Sequence, residues 1–202
     1  MSWIAVERFD AHVAPGGLAV VQELVNTHAV VGGEGDLLAD LTVARPWLQA
    51  TAEQWSRVRG LRPPTLTLSL PGLTALRELR TTVETMLQVA PEDRAAGQFQ
   101  ADALLIRATA RLATDREGRM ALIPSGTDGN WLASVIWSEI LLSHYDGGWS
   151  RLKLCREPGC RSAFYDRSRN GSGAWHNVRT CGNVNNLRVS RARRKGASRP
   201  DL

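Results

Sequence analysis

The chain is poor in cysteine, and the few it has are odd in number, three in 202 residues. An odd count cannot close into a complete disulfide framework. The start of the chain also lacks a basic segment leading into a continuous apolar stretch and a small-residue cleavage site. Disulfides are therefore not expected, which leaves metal binding or free thiols. Long apolar runs are missing too: none approaches the ~18 residues that a bilayer-spanning helix needs. The expected location is the cytoplasm. There is no GxGxxG, no Walker loop and no GxSxG, and no nucleophile with a partnering base stands out by motif, so no enzymatic activity is expected. His12, His28 and His144 have no metal-ligand spacing among themselves and read as structural or surface residues. Repeats and low-complexity tracts are absent as well.

What is present is enough apolar mass, 43% of the residues, for one substantial core and a small appendage. Charge divides unevenly between them. Residues 1–150 hold 12 Lys/Arg against 17 Asp/Glu, whereas residues 151–202 hold 13 against 3, so the two parts carry −5 and +10 within a net +5. Such a concentration of like charge is usually a solvated tail, and in a minority of chains it binds nucleic acid.

After the turn Pro15-Gly16-Gly17, the residues Leu18, Val21, Leu24, Val25 and His28 recur at helical spacing, which predicts a helix ending near Gly32, Gly33 and Gly35. Asp36 is the expected N-cap of a short helix with Leu37, Leu38 and Leu41, followed by a second short helix with Trp47, Leu48 and Trp55. Prolines confine Thr65 to Leu70 to a short extended segment. Leu73 to Leu87 then keep a helical period, and a further helix is expected from about Glu92 to Arg111. Residues 112–123, with a turn from Asp115 to Gly118, predict a β-hairpin. Asp128 is the expected cap of a large helix through Trp131, Val135 and Ile140 to Gly147-Gly148, with Trp131 and Trp137 as core residues. The fold expectation is mainly α with a small β-hairpin over residues 1–148, a small zinc finger with a closing helix over 149–196, and a flexible tail over 197–202.

All three cysteines fall in the basic part, as Cys155-Arg-Glu-Pro-Gly-Cys160, then fifteen residues, then His176-Asn-Val-Arg-Thr-Cys181. Zinc takes four borderline-soft ligands in a tetrahedron, commonly as two close pairs separated by ten to twenty residues. Cys155, Cys160, His176 and Cys181 match that template, with Pro158-Gly159 able to turn the chain so that both thiolates of the first pair face one ion. Phe164 and Trp175 are placed to shield the site. Two other readings stand beside this one. Three unrelated thiols and a surface histidine would not fall into two equal spacings. A catalytic zinc would need an open coordination position, and four protein ligands leave none.

The segment Phe164-Tyr165-Asp166-Arg167-Ser168-Arg169-Asn170, with Trp175 before the third ligand and Cys181-Gly182-Asn183 at the fourth, resembles the CGNR zinc finger of bacterial proteins. Upstream, Glu23-Leu24-Val25-Asn26-Thr27 is similar to the signature of the ABATE domain that precedes this finger in the same family. The resemblance implies a stress-induced transcription regulator whose finger binds DNA and whose helical domain senses a signal or dimerises. It also implies departures in this chain. His176 stands where the family has Cys, Val184 where it has Arg, Asn186 where it has Lys, and Gly173 and Ala174 where arginines commonly precede the tryptophan.

Asn183 is the expected N-cap of a closing helix from Val184 to Gly196, with Arg188, Arg191 and Lys195 on one face and Arg194 beside them. Such a face suits a phosphate backbone, and Asn185 or Asn186 could read an adenine edge. DNA is the expected partner, and a homodimer is an analogy with regulators that read paired half-sites. The rival reading is a zinc-stabilised protein interaction module in which these arginines are a solvated face and Leu187 packs down on the finger. No residue pattern names a small-molecule effector.

Overall fold

A computed structural model describes residues 2–95, 108–114, 118 and 120–197, except for the side chains of residues 95, 189 and 192–197. The helices are α1 (Ile4–Glu7), α2 (Ala19–Val25), α3 (Leu41–Val58), α4 (Leu70–Gln88), α5 (Pro91–Ala95), α6 (Asp128–Tyr145) and α7 (Asn183–Ala197). The strands form two antiparallel hairpins, β1 (Ala110–Thr114) with β2 (Met120–Pro124) and β3 (Leu152–Leu154) with β4 (Ala163–Tyr165). This is the expected mainly helical body with one small hairpin, followed by a C-terminal segment with a closing helix. Among the described residues no helix is long and apolar enough to cross a membrane.

The short helix α2 is the centre of the body, and all seven of its residues are buried. It packs against α1, α3, α4, α6 and β4. Gly17 just before it leaves room for the Glu139 carboxylate of α6, since a Cβ there would lie 2.2 Å from that group. Glu139 in turn accepts from Trp55 Nε1 at 2.8 Å and from Arg59 Nε at 2.7 Å, so the buried charge is paired and hydrogen-bonded. Trp55 meets Trp131 edge-on, with ring centroids 5.6 Å apart.

Four sequence expectations shift. The helix from Leu18 ends at Val25, not near the glycines at 32–35. The two short helices over residues 37–55 are one 18-residue helix, α3, whose cap is Asp40 and not Asp36. Asp40 Oδ1 accepts from Thr42 and Val43 N–H at 2.7 and 3.1 Å. Ala44, Trp47, Leu48, Thr51, Ala52 and Trp55 make one continuous buried stripe that carries the helix past Pro46. Asp36 instead ties Leu38 N–H and the guanidinium of Arg80, whose two bonds to it are both 2.9 Å. Of the helix expected over 92–111, residues 96–107 lie outside the described residues, and Ala110 and Arg111 belong to β1. The expected hairpin is present, its strands Ala110–Thr114 and Met120–Pro124 pairing Leu112 with Leu122, while residues 115–117 of the expected turn lie outside the described residues.

The fourth shift concerns Asp128. It is the first residue of α6, at φ 58°, and Thr127 occupies the cap position. Its carboxylate accepts from Gly129 N–H at 2.8 Å and from Ser69 N–H at the start of α4 at 3.1 Å. One carboxylate thus answers the positive ends of two converging helices. Gly72 leaves space for it, because a Cβ there would fall 2.0 Å from Asp128 Oδ1.

The C-terminal segment shares this core. Trp149, Leu152 and Ala163 are buried in the same apolar cluster as α2, α4 and α6.

Candidate metal centre

Hairpin β3–β4 starts the site. Its ladder is extended by Cys155 N–H donating to Ser162 O at 2.8 Å, which fixes the first ligand at the strand end. Residues 157–160 form a turn closed by Cys160 N–H to Glu157 O at 2.9 Å, with Pro158 and Gly159 inside it. Arg161, at φ 58°, then reverses the chain into β4. On the far side Arg156 N–H donates to Ala174 O at 2.9 Å, which holds the stretch carrying Trp175 and His176 against the turn.

The last ligand is delivered by a π-helical turn, Val178–Gly182, that runs directly into α7. Asn177 caps it, its side-chain oxygen accepting from Arg179 N–H at 2.9 Å. Asn183 was the expected cap, but it already has helical geometry and donates through Nδ2 to Arg179 O at 2.8 Å. The helix begins earlier because the chain must coil tightly to bring Cys181 back to His176. Gly182 is buried against Trp175 and Val178, which would lie 3.3 and 3.2 Å from a Cβ there.

The ligand atoms of Cys155, Cys160, His176 and Cys181 all lie within 4.8 Å of one another. His176 Nδ1 lies 3.2 Å from Cys160 Sγ and 3.7 Å from Cys181 Sγ, the spacing of donors around one tetrahedral ion with bonds of about 2.0–2.3 Å. Without a cation the three sulfurs cannot all ionise. The hydrogen bond from the Cys160 thiol holds Cys155 down to about 4, and that shared proton pushes Cys160 up. Burial pushes Cys181 up as well. A divalent ion removes this conflict by taking all three as thiolates. Phe164 is buried against Cys155 and Cys181, with Trp175 half-buried beside them.

Residues 151–194 match the CGNR zinc finger family. No curated protein matches the chain. The finger, with its Cys3His donor set, is arranged to bind a structural zinc ion through Cys155, Cys160, His176 and Cys181. Three thiolates and an imidazole around Zn2+ give a first shell of net charge −1.

The sequence reading gave no structural role to several residues that hold the finger and the body beneath it, although Glu23 and Asn26 belong to the signature that carried the resemblance. Asn26 clasps the backbone of Ala163 in β4: its Oδ1 accepts from Ala163 N–H at 2.7 Å and its Nδ2 donates to Ala163 O at 3.0 Å. Gln22 Nε2 adds a bond to the same carbonyl at 3.2 Å. Glu23 accepts from Ala5 and Val6 N–H and from Trp47 Nε1, and burial pushes its carboxyl up despite those bonds. Phe9 meets the His176 ring edge-on at 6.2 Å, and Asn177 Nδ2 donates to Asp10 at 3.0 Å. Arg161, next to a ligand, pairs with Glu84 of α4 at 3.0 Å.

Asp166 organises the loop between the ligand pairs. Burial opposes its charge, but bonds from Lys153 Nζ (2.7 Å), Ser168 N–H (2.9 Å) and Gly173 N–H (2.7 Å) outweigh that and hold its carboxyl well below the usual range. A Cβ on Gly173 would lie 2.7 Å from Asp166 Oδ1, so this chain has no room for an arginine there.

On α7, Asn186 and Arg191 are exposed, Asn185 is half-buried, and the side chains of Arg194 and Lys195 lie outside the described residues. Arg188 is paired with Glu157 of the finger turn at 2.5 Å. Leu187 does not pack down on the finger but is 57% exposed, as Val184 is at 49%. Arg156, Arg167, Arg169 and Arg179 are further exposed cations, to which the sequence reading assigned no nucleic-acid contact.

Proposed function

We propose that the chain is a DNA-binding transcription regulator in which the zinc finger aims α7 at the duplex and the helical body serves as an ABATE-type sensing or dimerisation domain. The observation that carries this reading is the way α7 leaves the metal centre. Cys181 anchors its root, its main packing partner is the preceding turn, and its 15 residues would extend about 22 Å. A rigidly rooted, cation-bearing helix of that length suits a major groove about 12 Å wide. The finger carries further exposed arginines, Arg156, Arg167, Arg169 and Arg179, so cations for phosphate contacts are available beyond the helix itself. Four protein ligands complete the zinc tetrahedron and leave no position for substrate or water, so the reading assigns the metal no catalysis. A cytoplasmic location goes with this role.

The test is a DNA shift measured at several salt concentrations on the zinc-loaded protein. Each phosphate contact contributes about 0.9 to the slope of log affinity against log salt. Neutralising Arg188, Arg191 and Arg194 together should remove most of the affinity and lower that slope by about 2–3. Unchanged, salt-dependent binding by the triple variant would refute the role of α7. A protein-docking role is the second reading, and the exposed Val184 and Leu187 in the first turns of α7 favour it. In that case substituting those two residues, and not the arginines, would remove partner binding.

A further inference from the structure

A cleft of about 630 Å3 lies beside the loop that Asp166 organises. Its walls come from three stretches of chain, residues 10–12, residues 164–168 with Gly173, and residues 175–179. That volume is in the range of small-molecule sites. Arg167 and Arg179 line it from different walls, and both are exposed. Among the described residues neither guanidinium has a hydrogen bond or an ion pair. The exposed His12, on the third wall, has an imidazole likewise without a partner.

The carboxylates of the cleft are largely spent. Asp166 gives Oδ1 to Ser168 N–H and Oδ2 to Lys153 Nζ and Gly173 N–H, and Asp10 Oδ2 accepts from Asn177 Nδ2 at 3.0 Å. Asn177 Oδ1 takes Arg179 N–H, which fixes the backbone that carries this side chain. Arg151 backs the Asp166 wall, its Nη1 donating to Asp166 O and Ser168 O at 3.0 and 2.8 Å. The cations Arg151, Lys153, Arg167 and Arg179 thus outnumber Asp10, Asp166 and the net −1 zinc shell behind His176. Of those cations, the two that are exposed and unspent are Arg167 and Arg179.

Free cationic donors beside spent acceptors call for an anionic guest rich in acceptor oxygens. Guanidinium groups that reach in from two walls need oxygens pointing in more than one plane. A phosphate offers them tetrahedrally, whereas a carboxylate presents two in one plane to a single fork. We propose that this cleft binds a phosphate ester, its phosphate oxygens accepting from Arg167 and Arg179. The volume beyond the phosphate lodges the rest of the ester along the wall with Tyr165 and Trp175, as aromatic side chains do for nucleotides. That the phosphate belongs to a DNA strand rests on the function proposed above; the affinity of the cleft for phosphate does not.

The test titrates the full-length, zinc-loaded protein with thymidine 5′-monophosphate, followed by two-dimensional NMR, with thymidine as the probe that lacks the phosphate. Saturable shifts confined to resonances of the cleft are expected, at least tenfold tighter for the monophosphate. Arg167→Gln/Arg179→Gln, checked by zinc content for intact folding, should weaken binding at least tenfold. Arg62→Gln/Arg111→Gln removes the same charge from two exposed arginines of the helical body and should bind like wild type. A short DNA duplex then separates the sources of phosphate. If the natural guest is a strand, the duplex displaces the monophosphate and the cleft variant lowers its salt slope by about 2; if it is a free nucleotide, the monophosphate stays bound. The proposal is overturned if the monophosphate does not saturate, if thymidine binds as tightly, or if the cleft variant binds like the body variant. Monophosphate binding without duplex affinity would sink the regulator reading alone, and duplex binding that ignores Arg167 and Arg179, with no monophosphate binding, would sink this site alone.

Discussion

Replacing Asn26 with alanine removes the clasp between the helical body and the zinc finger. The side chain is fully buried and spends both ends of its amide on Ala163, at 2.7 Å to N–H and 3.0 Å to O. In the variant the Ala163 carbonyl keeps Gln22 Nε2 at 3.2 Å, but its N–H is left stranded in the core. A stranded buried donor costs about 1–3 kcal/mol and the second lost bond roughly 1 more, so a loss of about 2–4 kcal/mol is expected. In a protein of this size that lowers Tm by about 4–16 °C. Unfolding of the zinc-loaded protein should be followed by far-UV circular dichroism and by zinc release to a chromophoric chelator. Because Leu152 and Ala163 lie in the main core, both signals should move together in wild type and fall together in the variant. Asn26→Asp, which sets a second carboxylate oxygen against Ala163 O, should fall at least as far. If the helical signal keeps its wild-type midpoint while only zinc release shifts, the finger folds by itself and the reasoning fails.

Three further outcomes are expected. His176→Ala should lose bound zinc under competition with a chelator while His176→Cys retains it, since either nitrogen or sulfur completes the tetrahedron; equal zinc content in the alanine variant would remove His176 from the site. Gly173→Ala should lower stability by about 1–3 kcal/mol by overpacking the Asp166 carboxylate, and a neutral result in urea unfolding would show that the loop yields. The Asp36 carboxyl is opposed by burial yet lowered by Arg80 and Leu38 N–H. A carboxyl depressed in the folded state gives stability that is present above about pH 4 and is lost as pH falls through its folded value. Asp36→Asn should therefore cost about 1–3 kcal/mol at neutral pH, and the gap to wild type should shrink below pH 4; a gap that stays constant on acidification would contradict the pairing with Arg80.

The parts of this protein that were legible in its sequence are those set by short spacings. The helical period from Leu73 to Leu87 and the strand pairing around 112–122 each depend on neighbours within one element or one turn. Capping was harder to read, because several polar residues compete for each helix start. Asp36 lost the cap of α3 to Asp40 because it is engaged by Arg80, 44 positions away. Asp128 left its expected role because α4 and α6 begin side by side. Asn183 gave way to Asn177 once Cys181 had to coil back to the metal.

By itself the sequence determined the zinc site, since four ligands in two equally spaced pairs with a turn inside the first can converge on one ion with little help from the rest of the chain. It also determined the charge of the closing helix. Tertiary structure alone decided what the metal centre rests on. Asn26 reaches Ala163 across 137 residues, and Gly173 is constrained by a carboxylate seven positions away that no periodicity connects to it. Spacing encodes contacts within a turn or a helix, whereas contacts between elements depend on how the core packs.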